Sequence, residues 1–161
     1  MNSMLDQIEE EHDDDFSRVK AIVDVLDKRK RAKKVAVRDS LKSAIFTEPE
    51  ATVRVLVGFF SVASNAGTLY EELGWGLSLK SKLEEIGANG CVAALDRLEV
   101  IDDEYRRVEE RMAKGEDCDA EYDALWGRRR EAEAGAEGDF VWATLLWNYA
   151  KKHRDSILVS A

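Results

Sequence analysis

Four carboxylates on one predicted helix, Asp96, Glu99, Asp102 and Asp103, come nearest in type and spacing to a catalytic constellation. Glu99-x-x-Asp102 is half of a carboxylate pattern that can hold magnesium between paired helices for nucleotide hydrolysis. The other half, a Glu-x-x-Glu upstream, is missing, so a solvated helix face is the preferred reading. His12 lies among acids and could join Glu9 and Asp15 around a metal, but a surface histidine in an acidic segment needs no ligand. His153 falls at a helix end, where a cation complements the macrodipole. Cys91 and Cys118 are too few for a disulfide framework and read as thiols in a reducing compartment. The sequence has no phosphate-cradling glycine loop, no nucleophile elbow and no zinc-spaced cysteine pair, and it lacks the Glu-x-x-His pairs on two helices that a di-iron bundle needs. The expectation is a non-enzyme, with no catalytic residue, no metal ligand and no cofactor.

Charge is the stronger signal. The formal net charge is −9, which argues against nucleic acid or an anionic membrane as partner of the whole surface and favours a basic protein. The first fifteen residues hold seven acids and no Lys or Arg, and Glu99 to Asp139 holds fifteen acids against seven bases. Carboxylates three or four positions apart on a helix lie about 5 to 6 Å from each other. Rigidly held, they can imitate a row of phosphates for a partner built to meet DNA. Against this runs a basic stretch, Lys28, Arg29, Lys30, Arg31, Lys33, Lys34 and Arg38. Consecutive helical residues point all round the axis, so the run makes a collar that suits a helix C-terminus better than a phosphate-tracking stripe.

The elements that must position these groups are helices. Phe16, Val19, Ile22, Val23 and Leu26 recur at helical spacing behind Asp13 to Asp15, which would cap them, and Met1 to Asp15 reads as an acidic tail or helix start. Val35 to Phe46 continues or restarts a helix. Thr47-Glu48-Pro49-Glu50 is a capping box with proline in the first turn, so the apolar run Val53 to Gly67 is a helix and not a strand, greasy enough all round to be buried. Gly67 stops it, Thr68 to Glu71 is a second capping box, and the next helix extends to about Ile86, loosened by Gly74 and Gly76. Gly87 ends that helix and Asn89-Gly90 is a turn. Leu95, Leu98, Ile101, Tyr105, Val108 and Met112 mark a long amphipathic helix closed by Lys114-Gly115. Glu116 to Asp119 is an acidic loop, Tyr122, Leu125 and Trp126 mark a short helix, and Asp139 can cap a final one carrying Phe140, Trp142, Leu145, Leu146 and Tyr149. The fold class is all-α, one compact domain of about six or seven helices over residues 16–157. Arg54 and Ser61 interrupt the best membrane candidate, and the acidic N-terminus is the wrong flank for a signal peptide, so the expected location is cytoplasmic.

Gly58-Phe59, then Asn65 seven positions after the glycine, then Gly67, resembles the Gly-Phe-x-Gln-Phe-Phe-x-Asn segment of a family of small acidic bacterial DNA-mimic proteins. Leu83-Glu84-Glu85-Ile86-Gly87-Ala88 is similar to its Leu-x-x-Ile-Gly-Ala element, and Tyr149 to Asp155 to its closing Tyr-x-x-x-His segment. Ser61, Val62 and Ala63 stand where the family has glutamine and paired aromatics. The resemblance implies an all-helical domain, a homodimer, which regulates by occupying the DNA-binding surface of a basic protein such as a transcription regulator, in a bacterial or phage setting. The expected contact acids are Glu99, Asp102, Asp103, Glu109, Glu110, Glu116, Asp117, Asp119, Glu121 and Asp123. Two alternatives stand beside it. One is a nucleic-acid-binding regulator working through Lys28 to Arg38 under an autoinhibitory acidic cover, and the other a magnesium-dependent nucleotide hydrolase through Glu99 and Asp102.

Overall fold

A computed structural model describes residues 3–32, 45–65 and 69–159. Among them the chain is all-α, with eight helices: α1 (Met4–Glu11), α2 (Asp15–Ala32), α3 (Glu48–Asn65), α4 (Leu73–Ser78), α5 (Lys80–Glu85), α6 (Asn89–Ala113), α7 (Asp119–Ala134) and α8 (Asp139–Lys152). They form two units, Met1–Ser61 with Asp139–Ala161, and Val62–Gly138. No helix among the described residues is long and apolar enough to cross a membrane.

In the first unit the acidic start is a helix of its own, bounded by a Ser3–Asp6 capping box and burying Leu5 and Ile8. Asp14 then caps α2, accepting from the Ser17 amide at 2.8 Å and its hydroxyl at 2.9 Å. Several acids of this segment are engaged locally: Asp6 with Arg154, Glu9 with Lys151, and Asp15 with Arg18 and the Thr144 hydroxyl. Val19, Ile22 and Leu26 of α2 are buried, as are Trp142, Leu146 and Trp147 of α8, which packs against α2. Phe16, at helical spacing with the buried positions of α2, and Phe140 on α8 are exposed, Phe140 by 85%. The expected helix Val35 to Phe46 lies outside the described residues except for buried Ile45 and the bend at Phe46.

The capping box at the head of α3 is formed as expected. The Glu50 amide donates to Thr47 Oγ1 at 3.3 Å and the Thr47 amide to Glu50 Oε1 at 2.9 Å. Glu50 is only 1% exposed, and its carboxylate also accepts from Arg29 at 2.9 Å and from the Leu158 amide at 3.0 Å. Arg29 donates further to the Ile45 carbonyl, Thr47 Oγ1 donates to the Ser156 carbonyl, and Arg54 pairs with Asp27. Leu158 holds φ 53, a left-handed conformation uncommon outside glycine, at the position where its amide meets Glu50. Burial pushes the Glu50 carboxyl up, but the hydrogen bonds from Arg29, Thr47 and Leu158 outweigh it and hold the pKa below the usual range. Further along α3, Val53, Leu56, Phe59 and Phe60 are buried, with Phe60 stacked on Trp142 at 5.1 Å between centroids.

In the second unit the single helix expected up to Ile86 is two short ones. The chain breaks at Leu79, whose amide donates to the Trp75 and Gly76 carbonyls. Of the second capping box, Thr68 lies outside the described residues, and α4 begins at Leu73 without a side-chain cap. Gly87 ends α5 with φ 83 and Gly115 follows α6 with φ 89, both conformations that suit glycine. α6 runs for 25 residues and packs against α4, α5 and α7. It buries Leu95, Leu98, Ile101, Tyr105 and Val108, as the sequence pattern predicts, while Met112 is exposed. α7 has 16 residues, longer than the sequence signals, and of its markers Tyr122, Leu125 and Trp126 only Leu125 is buried.

Replacing Phe60 with Ala removes a buried ring and its stacking contact with Trp142 and should cost about 3–5 kcal/mol, read from the shift in urea unfolding. Glu50→Gln keeps a capping side chain but leaves Arg29 unpaired, with an expected cost of about 3 kcal/mol at neutral pH. The folded pKa of Glu50 is depressed. Its contribution is therefore complete above the unfolded pKa and is lost as pH falls through the folded one. Denaturation curves should show the gap between wild type and Glu50→Gln closing from about pH 5 downward.

Candidate functional site

The helical hairpin α6–α7 carries eight of the ten expected contact acids on its two helices, and Glu116 and Asp117 in the connection between them complete the set. Its two helices are locked by arginines. Arg111 on α6 reaches Glu121 on α7 through two nitrogens at 2.6 and 3.0 Å, and Glu116 in the connection through Nε at 2.9 Å. Two turns down the hairpin Arg128 on α7 grips Glu104 on α6. Acid and base are seven positions apart on each helix with the signs reversed, so antiparallel pairing satisfies both ends. That spacing was the readable signal for a hairpin, and Glu104 and Arg111 were the residues missed. Hydrogen bonds to Glu121 and Glu116 raise the Arg111 pKa, and the bond from Arg111 lowers that of Glu121.

The ten acids differ in how free they are. Glu99, Asp103, Glu109, Glu110, Glu116, Asp117, Asp119, Glu121 and Asp123 are exposed, and Asp102 is half-buried. Asp102 accepts from the Tyr70 hydroxyl at 2.7 Å and pairs with Arg106, which also approaches Asp103 at 3.8 Å. Burial and then the bond to Asp102 raise the Tyr70 pKa. Glu116 and Glu121 are bound to Arg111, whereas Glu99, Glu109, Glu110, Asp119 and Asp123 hold no ion pair among the described residues. The surface is thus acidic but interleaved with arginine, with its freest carboxylates around the hairpin tip. Residues 109–123 contain seven acids and two bases.

A groove between α4 and α6 brings Glu99, Asp102 and Asp103 beside Tyr70, Leu73, Leu77 and Arg106. Both oxygens of Asp102 are already engaged, by Tyr70 and by Arg106. Among the described residues no group of three or more His, Cys, Asp or Glu is placed to hold a metal ion. His12 is half-buried, and its carbonyl accepts from Arg18 at 3.0 Å. Cys91 and Cys118 are buried free thiols. Burial, then the nearby Glu137 carboxylate, pushes the Cys91 thiol up to about 12, so it is not a nucleophile near neutral pH. Of the basic run, Arg29 is tied to Glu50, while Lys33, Lys34 and Arg38 lie outside the described residues.

The base of the hairpin holds a correction. Gly90, expected in a turn, is the second residue of α6. Glu137, beyond the end of α7, caps that helix by accepting from the Gly90 amide at 2.6 Å and the Cys91 amide at 2.7 Å. A Cβ at Gly90 would lie 2.7 Å from both Glu137 Oε1 and the Gly135 carbonyl oxygen.

No protein-family model, no curated protein and no solved structure matches this chain.

Gly90→Ala should expel Glu137 from the head of α6 and cost about 1–3 kcal/mol in thermal or urea unfolding, because the Gly135 backbone cannot yield as a side chain can.

Proposed function

We propose that this chain is a non-enzymatic protein-binding module that presents the tip of the α6–α7 hairpin to a basic partner. One observation carries the reading: Glu109, Glu110, Glu116, Asp117, Asp119, Glu121 and Asp123 are all exposed around one short connection, with Met112 and Tyr122 exposed among them. Carboxylates alone would serve solubility. Apolar side chains set among them add the area that a stable contact needs, since aromatic anchors contribute most to interface energy. Arg111 fixes two of the acids in place, so less side-chain entropy is lost on binding.

In its finer form the surface takes the place of DNA on a regulator's basic face, as the resemblance of Gly58-Phe59, Asn65 and the later segments implies. The carboxylates at Glu99 and Asp103 continue the acidic face along α6. The nucleic-acid alternative draws no support from Arg29, which is bound to Glu50, and Asp6, Glu9 and Asp15 of the acidic start are paired with Arg154, Lys151 and Arg18.

Capture of basic proteins from the source cell should weaken steeply as salt rises, and duplex DNA should displace them. A variant with Glu109→Gln, Glu110→Gln, Asp119→Asn and Asp123→Asn should lose capture while remaining helical by circular dichroism. Capture that ignores salt, or that survives the fourfold variant, removes the reading, and capture that DNA fails to displace removes the mimic form.

A further inference from the structure

The outward face of α7 carries Asp119, Tyr122, Asp123 and Trp126, spaced i, i+3, i+4 and i+7, which places them in one arc of about 100° around the helix. All four are exposed, Tyr122 by 39% and Trp126 by 50%. The Arg129 guanidinium carbon lies 4.7 Å from the Trp126 ring centroid and 4.2 Å from that of Tyr70, with Glu133 as its ion-pair partner at 3.3 Å. The protein thus already holds one arginine between two aromatic rings and a carboxylate. Arg129 lies over the ring, and half of the residue is still open to solvent. Tyr122 meets Tyr105 edge-on at 5.2 Å between centroids. The Tyr105 hydroxyl, in a buried residue, finds no hydrogen-bond partner among the described residues.

We propose that this stripe docks an arginine side chain of the basic partner, its guanidinium stacking on the exposed part of the Trp126 indole and pairing with Asp123 or Asp119. The inference rests on the acidic-module reading and names the group that the module recognises. Charge selects a cation, because the surrounding residues 109–123 carry seven acids and two bases. The aromatic selects arginine over lysine, since a guanidinium is planar, more weakly hydrated than an ammonium and able to stack while its edge pairs with a carboxylate. Its five donors exceed what one carboxylate uses, so a docked guanidinium can pair with more than one of the acids on this face.

The test is calorimetric titration of the full chain at low salt with short arginine and lysine homopeptides of equal length. The arginine peptide should bind about two- to fivefold more tightly. Trp126→Leu should abolish that preference, lowering arginine-peptide affinity to that of the lysine peptide, whereas Trp126→Phe should keep part of it, with circular dichroism reporting helicity in each. Equal affinities in the wild type, or a preference that survives Trp126→Leu, overturn the arginine site and leave the acidic module standing. If neither peptide binds at low salt, both readings fall.

Discussion

A single buried carboxylate governs the first unit. Glu50 caps its own helix, holds Arg29 of α2 and accepts the amide of Leu158, so three stretches far apart in sequence converge on two oxygens. Such a charge is tolerable in a dry site only if every partner is present, because an ionised carboxylate stripped of hydrogen bonds costs several kcal/mol. The requirement couples the elements. If α2 shifts, Glu50 loses a cation, and if the C-terminal segment leaves, one of its oxygens is orphaned. The left-handed Leu158 belongs to this arrangement, as the residue whose backbone bends to deliver its amide. The apolar contacts around Phe60 and Trp142 supply bulk stabilisation, but Glu50 supplies register.

Much of the fold could be read from local chemistry. The Thr47 to Glu50 capping box identified α3 as a helix although its Val and Phe content favours a strand, and the apolar spacing of α6 predicted its buried face from Leu95 to Val108. What escaped was set by tertiary neighbours. Gly90 reads as a turn residue from sequence, yet its glycine is needed because Glu137, 47 positions later, occupies the space of a Cβ. The break at Leu79 has no breaker at the residue itself. Phe16 and Phe140 follow the helical period but face outward, since periodicity finds a stripe and not the edge where the stripe leaves the core.

The candidate site was legible in its sign and not in its pairing. Counting acids from Glu99 onward located the hairpin, but which of them are neutralised depends on the register of α6 against α7. Once Arg111 meets Glu121 and Arg128 meets Glu104, the surface is a lattice of mixed charge with free carboxylates concentrated near the tip. Tryptophan content was equally ambiguous: Trp142 and Trp147 are core, while Trp126 on the same helical logic is half outside.

The dependence of Glu50 on Leu158 also has a temporal side. The second unit is one continuous stretch, Val62–Gly138, whereas the first is assembled from both flanks of it. On a ribosome, residues 62–138 are complete while Glu50 still waits for an amide 108 positions downstream. Domains form as units as the chain emerges, and non-local contacts are slow to close. The hairpin can therefore be in place while α2 and α3 still expose Val19, Ile22 and Phe60. In that interval the apolar faces of α2 and α3 lack their partner, until α8 arrives to pack on α2 and stack Trp142 on Phe60.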